Sequence, residues 1–361
     1  MLIAEDETEK LVTAILARRG SKYRCPGCHC PVRLKRGTVM CAHFAHQANQ
    51  ACTTFSEGET AEHLLGKQQL AAWFAASGYT VTLEARLPTI HQRPDVLVQL
   101  GKQPPLALEF QCSPISVEKL RQRTQGYRDH GYRVLWLLGS PYQHQLRLNA
   151  KALKFLQHYA PWGCFLVYWL TTINGGQLLL NLTTVDGERL NYQVQAWQAA
   201  QVSVSAVLNL KTQLFAPHKI PAQFVTFQQQ LVLGRLRHQP AVVSLQTYCY
   251  QHGGSLAQLP SWVFMTTPKV PILKTAYLNW MVYLLMALRV APPRLSQQRL
   301  QTLIWQTLLP CVAQQPCLLE PNRLQAQLVA AAISELRGAK VIIRQDRDWQ
   351  IVAAQLDWRA H

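Results

Sequence analysis

Between Arg189 and Leu319 the chain contains no aspartate and no glutamate. Acids are scarce throughout: 19 stand against 36 lysines and arginines, a formal net charge of +17 in 361 residues. Ten Lys or Arg residues and three His residues fall inside the acid-free span. A surface that avoids carboxylates this consistently does not repel a polyanion, so nucleic acid is the expected partner. The competing reading is a generally basic protein whose charge serves only solubility.

Other absences narrow the class further. Charged residues make up only 15% of the chain and hydrophobic ones 48%, which excludes a disordered protein and leaves two or three globular domains with substantial cores. Long apolar runs are missing. Ala276 to Leu288 is too short to span a bilayer and contains Asn279, so a buried helix and no membrane partner are expected. A signal peptide is not evident, because Met1-Leu2-Ile3-Ala4 meets Glu5, Asp6 and Glu7 at once; a cytoplasmic location is the expectation. The ten cysteines are not spread like a disulfide scaffold. Four lie between Cys25 and Cys41, which favours metal binding.

That cluster has a recognisable layout. Cys25-Pro26-Gly27-Cys28 is a C-x2-C knuckle whose Pro and Gly favour a tight turn aiming both sulfurs at one point. Val32 to Met40 alternates and turns like a hairpin, and His43-Phe44-Ala45-His46 supplies a second knuckle. Four of Cys25, Cys28, His43, His46 and Cys52 suffice for a closed tetrahedral zinc site, with Cys30 and Cys41 as bystanders. Before it, Leu2 to Ala4 and Leu11 to Ile15 flank an acidic turn and suggest a small hairpin.

The stretch from Pro94 to Pro114 carries the chemistry. Asp95-Val96-Leu97-Val98 and Leu106 to Gln111 read as adjacent strands joined across Gly101-Lys102-Gln103-Pro104-Pro105. Strand side chains alternate faces, so Glu109 and Gln111 point the same way. An acid at a strand edge is ordinarily solvated or ion-paired. Here Glu109 interrupts an interior-looking apolar run, where a charge is costly unless paired or metal-bound. Asp95 and Glu109 on neighbouring strands could hold a hard divalent cation through oxygen ligands.

Around it, Glu57 to Ser77 reads as a helix with an apolar stripe of Leu64, Leu65, Leu70, Trp73 and Phe74. Glu59, His63 and Lys67 recur every four residues on its polar face, with Glu62 beside them. Tyr79 to Leu87 is a strand, Ser116 to His130 a helix carrying Arg121 and Arg123, and Tyr132 to Gly139 a buried strand. The order helix-strand-strand-strand-helix-strand implies an α/β fold with a crossover and a parallel pair in a mixed sheet. Beyond Pro141, a helix from Leu146 to Tyr159, a hairpin across Asn174-Gly175-Gly176, a mostly helical region from about Asn191 and a last hairpin near Val341 to Ala353 are expected. No internal repeat is evident.

On Tyr23 to Cys28, His43 to His46, Cys52, Glu59 to His63 with Lys67, Asp95 to Val98, Leu106 to Pro114 and Gly126 to Gly139, the chain resembles the competence protein CoiA family over roughly residues 1–145. The resemblance implies a zinc-ribbon-like module (1–56), a PD-(D/E)XK or restriction-endonuclease-like domain (57–145) and a mostly helical basic region (146–361). It implies a role in natural transformation on incoming DNA, with recombination proteins as possible partners. It makes Asp95 the first acid of the nuclease motif, Glu109 the second, and Glu62 or Glu59 the helix acid, with Mg2+ or Mn2+ as catalytic metal and Zn2+ as structural metal. Gln111 stands where that motif most often has Lys. It can orient a water but brings no charge; Lys67 or His63 could assist. Arg121, Arg123, Arg235, Arg237, Lys269 and Lys274 are the expected DNA contacts. A nuclease-fold DNA-binding or recombination accessory protein without cleavage is the alternative.

Overall fold

The structure, a computed structural model, describes every residue except 38–39, 48–59, 144–149, 188–189, 212–220, 265–266 and 360–361. Cys52 and Glu59, both expected at sites, lie outside the described residues. The chain divides into two compact units, 1–146 with 155–180 and 193–212, and 147–154 with 181–192 and 213–361.

The first unit begins with a five-stranded sheet made of β1 (Ile3–Glu5), β2 (Leu11–Thr13), β3 (Tyr23–Arg24), β4 (Pro31–Lys35) and β5 (His43–His46), in the order β2-β1-β3-β4-β5. The acidic turn closes the first hairpin, with Asp6 accepting from the Thr8 and Lys10 amides. β4 and β5 form the second hairpin, pairing Val32 with His46 and Lys35 with His43. A small core of Ala4, Tyr23, Val32 and Phe44 lies beneath them.

Helix α1 (Ala61–Ala76) follows. Thr60 caps it by accepting from the His63 amide at 3.1 Å, and Gly78, at φ +89°, lets the chain turn away in the left-handed region. Then come β6 (Thr80–Leu83), β7 (Val96–Leu100), β8 (Gln103–Gln111), α2 (Val117–Asp129, capped by Ser116) and β9 (Arg133–Leu138). The expected order is present. β6, β7 and β8 are antiparallel neighbours, and the crossover through α2 makes β8 and β9 parallel.

Period-2 alternation divides the sheet's two faces. Val96, Val98, Leu108 and Phe110 go to one side and pack with Trp73 and Phe74 of α1. Leu97 and Ala107 go to the other, against Tyr127 of α2. The α1 contact is close. A Cβ at Gly66 would stand 2.1 Å from the Phe110 ring, so only glycine lets the helix sit this near β8. Burying each of these aromatic or branched side chains contributes about 1.5–3 kcal/mol.

The expected helix from Leu146 to Tyr159 is not formed. Among the described residues, α3 (Ala150–Leu153) is a single turn belonging to the second unit, and β10 (Gln157–Tyr159) is a strand. Gln157 to Tyr159 pair antiparallel with Phe165 to Gly163 of the next strand, which takes their backbone out of a helix. β11 (Gly163–Leu170) runs parallel to β9 and antiparallel to β12 (Gly175–Thr183), the expected hairpin. β13 (Asn191–Gln198) is an edge strand where helix was expected, followed by α4 (Val204–Leu208). The sheet therefore reads β13-β12-β11-β9-β8-β7-β6, with β10 on β11. The expected boundary near residue 145 falls inside a continuous sheet: Trp169, Leu178, Leu180 and Trp197 share one core with α1.

The second unit contains α5 (Pro221–Leu236), α6 (Pro240–Gln251), α7 (Tyr277–Val290), β14 (Arg294–Ser296), α8 (Gln297–Leu308), α9 (Pro321–Gly338), β15 (Ile342–Gln345) and β16 (Asp348–Ile351). It is mostly helical, as expected, with a three-stranded sheet in the order β14-β16-β15. α7 is the expected buried apolar helix, and among the described residues no helix is long and apolar enough to cross a membrane. Tyr277 and Trp280 are core residues of it.

Candidate active site and metal centre

In the N-terminal module the ligand atoms of Cys25, Cys28 and His46 lie within 4.8 Å of one another, the Cys28 sulfur 3.3 Å from His46 Nε2. The knuckle turn brings the two sulfurs together, and the β4–β5 pairing delivers His46 to them. His43 is not part of this group. It lies at the other end of β5, and its Nδ1 is 2.9 Å from the Cys41 carbonyl oxygen. Two thiols and an imidazole are the donor set that zinc prefers. Burial pushes the Cys25 thiol up to about 12, so a bound cation is what would draw off its proton.

The second site lies at the ends of β7 and β8. The register pairs Val96 with Leu108, which carries Asp95 to the level of Glu109. The two acids are held from opposite sides of the sheet. Asp95 accepts from the Phe110 amide at 2.8 Å, lies 3.2 Å from His63 Nε2, and has Lys67 Nζ at 3.8 Å. Glu109 points to α2, where Arg123 donates to it at 2.5 Å and the Tyr127 hydroxyl donates to the same oxygen.

These surroundings push the two carboxyls apart. Burial raises Asp95, but His63, then Lys67 and the Phe110 amide, hold it well below the ordinary carboxylate range. Burial raises Glu109 above its ordinary range; the Asp95 charge adds to this, and Arg123 and Tyr127 offset it only in part. Asp95 is thus the carboxyl held ionised, and Glu109 the one whose charged form burial disfavours.

The remaining expected residues are placed differently from one another. Glu62 accepts from the Ser140 amide at 2.7 Å and from its hydroxyl at 2.6 Å, at the end of β9. Gln111 is buried and donates its amide to the Ser113 carbonyl and hydroxyl, turned toward the following loop. Lys67 is not a solvent-facing catalytic cation. It is fully buried, with its Nζ 2.5 Å from Glu84. Glu84, in the left-handed region at φ 49°, also takes Arg93 at 3.2 Å and the Leu2 amide at 3.0 Å, tying the N-terminal sheet to the site. The sequence reading passed over Glu84, Arg93 and Tyr127. The adjacent cation and acid in Arg93-Pro94-Asp95 were the local signal for one of them.

The expected DNA contacts also separate. Arg123 is committed to Glu109 because α2 lies over β8. Lys269 is buried with its Nζ 2.5 Å from Glu335. Lys269 does not present its charge to solvent, and the Arg123 side chain is 26% exposed with its guanidinium engaged by Glu109. Arg121 is exposed and paired with Glu118 one helical turn away, while Arg235, Arg237 and Lys274 are exposed.

Comparison with known proteins agrees with this architecture. Residues 7–55 match the N-terminal domain of competence protein CoiA, and residues 59–212 match its nuclease-like domain. The second range ends after α4, where the extended sheet has been completed. The competence protein CoiA of Bacillus subtilis (strain 168) is 36% identical over 118 residues, an alignment spanning 33% of this chain and 31% of that protein. No solved structure matches. The knuckle with its two thiols and histidine lies within the first matched range and the acids on adjacent strands within the second, and the chain belongs to the competence protein CoiA family.

Proposed function

We propose that this protein acts on DNA as a divalent-metal-dependent phosphodiester hydrolase, working on incoming DNA in natural transformation. The observation that carries this is the pair Asp95, partly exposed, and Glu109, buried, set level on adjacent strands, one held ionised and the other pushed up. Two neighbouring carboxylates as oxygen donors suit a hard cation, Mg2+ or Mn2+. Asp95 and Glu109 would hold it, and bound there it would lower the pKa of a water and shield the phosphate. The chain's own residues prepare the site. His63 and the Phe110 amide fix the Asp95 carboxylate. Arg123 and Tyr127 hold Glu109 until a cation competes for it. Lys67 adds a positive charge 3.8 Å from Asp95 while anchored by Glu84. Gln111 and Glu62 would steer the nucleophile and its surroundings from the strand end and the helix. Zinc at Cys25, Cys28 and His46 would be structural.

The second reading is a nuclease scaffold kept for DNA binding or as a recombination accessory. The engagement of Glu109 by Arg123, and a glutamine in place of a cation at position 111, favour it. The test is nicking of plasmid and linear DNA with Mg2+ or Mn2+, with binding measured in parallel. Cleavage that disappears in Asp95→Ala and Glu109→Ala supports hydrolysis. DNA binding with no cleavage of any DNA form supports the scaffold.

A further inference from the structure

Residues 213–361 lie beyond both matched domains. Within them α7, β14, α8, α9, β15 and β16 follow one another as helix, strand, two helices and hairpin. β14 pairs with β16 and β16 with β15, all antiparallel. α8 packs against both α7 and α9, and β14 and β16 close on α8. Ile304, Leu308, Leu324, Leu328, Ile342 and Trp349 are buried where these elements meet. This is the connectivity of a winged helix: α8 and α9 are the helix-turn-helix pair and β15–β16 the wing. Topology alone assigns no function, so the argument rests on the surface that α9 presents.

Arg323, Ala326, Gln327, Ala330, Ser334 and Arg337 are all exposed, and their spacing of three and four places them in one stripe. From Arg323 to Arg337 it runs about 21 Å at 1.5 Å per residue. The stripe has cations at both ends, an amide between them and no carboxylate. The acids nearby are directed elsewhere. Glu335 accepts from Thr267 and Lys269, and Glu320, ahead of the helix, forms an exposed pair with Arg323 that costs little to break. Arg299 in the first turn of α8 and Lys340 just past α9 are exposed cations of the same arrangement. On the wing, Asp346 and Asp348 balance Arg344 and Arg347, so the wing contributes shape rather than net charge. A protein-docking face would carry aromatic or large apolar anchors. The stripe has none. A cationic helix face with a small-residue centre fits a major groove, where Gln pairs with adenine and Arg reaches guanine or phosphate.

We propose that residues 277–351 form a duplex-DNA-binding module in which α9 enters the major groove. The proposal does not depend on cleavage at Asp95 and Glu109. It moves the principal DNA contact of the second unit from Arg235 and Arg237 to Arg323, Gln327 and Arg337.

The test uses the full chain and a short labelled duplex without added Mg2+ or Mn2+. Arg323→Ala with Arg337→Ala should weaken duplex binding by about tenfold or more and reduce the slope of log affinity against log salt by about 1.8, at about 0.9 per phosphate contact. Ala330→Glu exchanges one good helix former for another at an exposed position, so the fold is kept while the groove-facing surface turns anionic. It should weaken binding by a similar factor, with an unchanged melting temperature. Arg235→Gln with Arg237→Gln should leave affinity unchanged. Wild-type affinity and slope in both α9 variants overturns the proposal, including the case where those variants instead lose a protein partner. Duplex binding without metal reads this proposal and nicking with Mg2+ or Mn2+ reads the hydrolase, so the failure of either is visible separately.

Discussion

Replacing Glu84 with alanine should destabilise the first unit more than any other change near the site. Glu84 is buried and accepts from the fully buried Lys67, from Arg93 and from the Leu2 amide, with the Ile3 amide at 3.3 Å. Removing it leaves Lys67 with Asp95 at 3.8 Å in place of a 2.5 Å contact. Breaking a buried pair from one side costs about 3–5 kcal/mol, and a backbone amide left without its acceptor adds about 1–3 kcal/mol. Lys67→Met is milder, because Glu84 keeps Arg93 and the backbone donors; about 2 kcal/mol less than Glu84→Ala is expected. The double variant Lys67→Met with Glu84→Ala leaves no uncompensated lysine and should be more stable than Glu84→Ala alone. Urea unfolding, followed by the fluorescence of the tryptophans in this core, reads all three. The pH dependence has a definite sign. Lys67 and Arg93 hold the Glu84 carboxyl below its unfolded value near 4.5. Its contribution is therefore fully present above that value and is lost as pH falls through the lower folded value. A cost below about 1 kcal/mol for Glu84→Ala, or strict additivity in the double variant, would refute this account.

Two further outcomes follow from the site geometry. His46→Ala, like Cys25→Ser, should lower bound zinc by about one per chain, whereas His43→Ala should retain it; metal analysis by mass spectrometry decides, and equal loss from both histidines sinks the assignment. Arg123→Met removes the cation that offsets burial at Glu109, so its carboxyl should rise further. If the ionised form is required, the acidic limb of the nicking profile moves to higher pH, and an unmoved limb shows that Glu109 does not limit the reaction.

Much of this was legible because it is written in local pattern. Cys25-Pro26-Gly27-Cys28 contains its own turn, Leu64, Leu70, Trp73 and Phe74 repeat at helical spacing, and Gly175-Gly176 sits at a hairpin. Asp95 and Glu109 could be placed on adjacent strands because period-2 alternation and a short Gly-Pro connection suffice for that. Gln157 to Tyr159 and Asn191 to Gln198 were misread as helical. Each pairs with its neighbour in the chain, Gln157 to Tyr159 with β11 and Asn191 to Gln198 with β12, and strands this short or at a sheet edge carry little alternation of their own.

The partners of the charged residues belonged to tertiary structure. Lys67 looked like one member of a polar helix face, yet α1 packs so closely on β8, through Gly66 against Phe110, that Lys67 is enclosed and must find an anion. Arg123 and Lys269 looked like phosphate contacts by composition; the fold gave them Glu109 and Glu335 instead. The acid-free span ends at Leu319, short of Arg323 and Arg337, and only the packing of α7, α8 and α9 showed which cations face solvent together. What this sequence determined alone is the set of turns, caps, alternating strands and metal-type knuckles, because each depends on neighbours a few residues away. Which charge meets which was decided by the fold, because a buried ion pair is selected by the cost of leaving its charges unpaired after distant segments have closed around them.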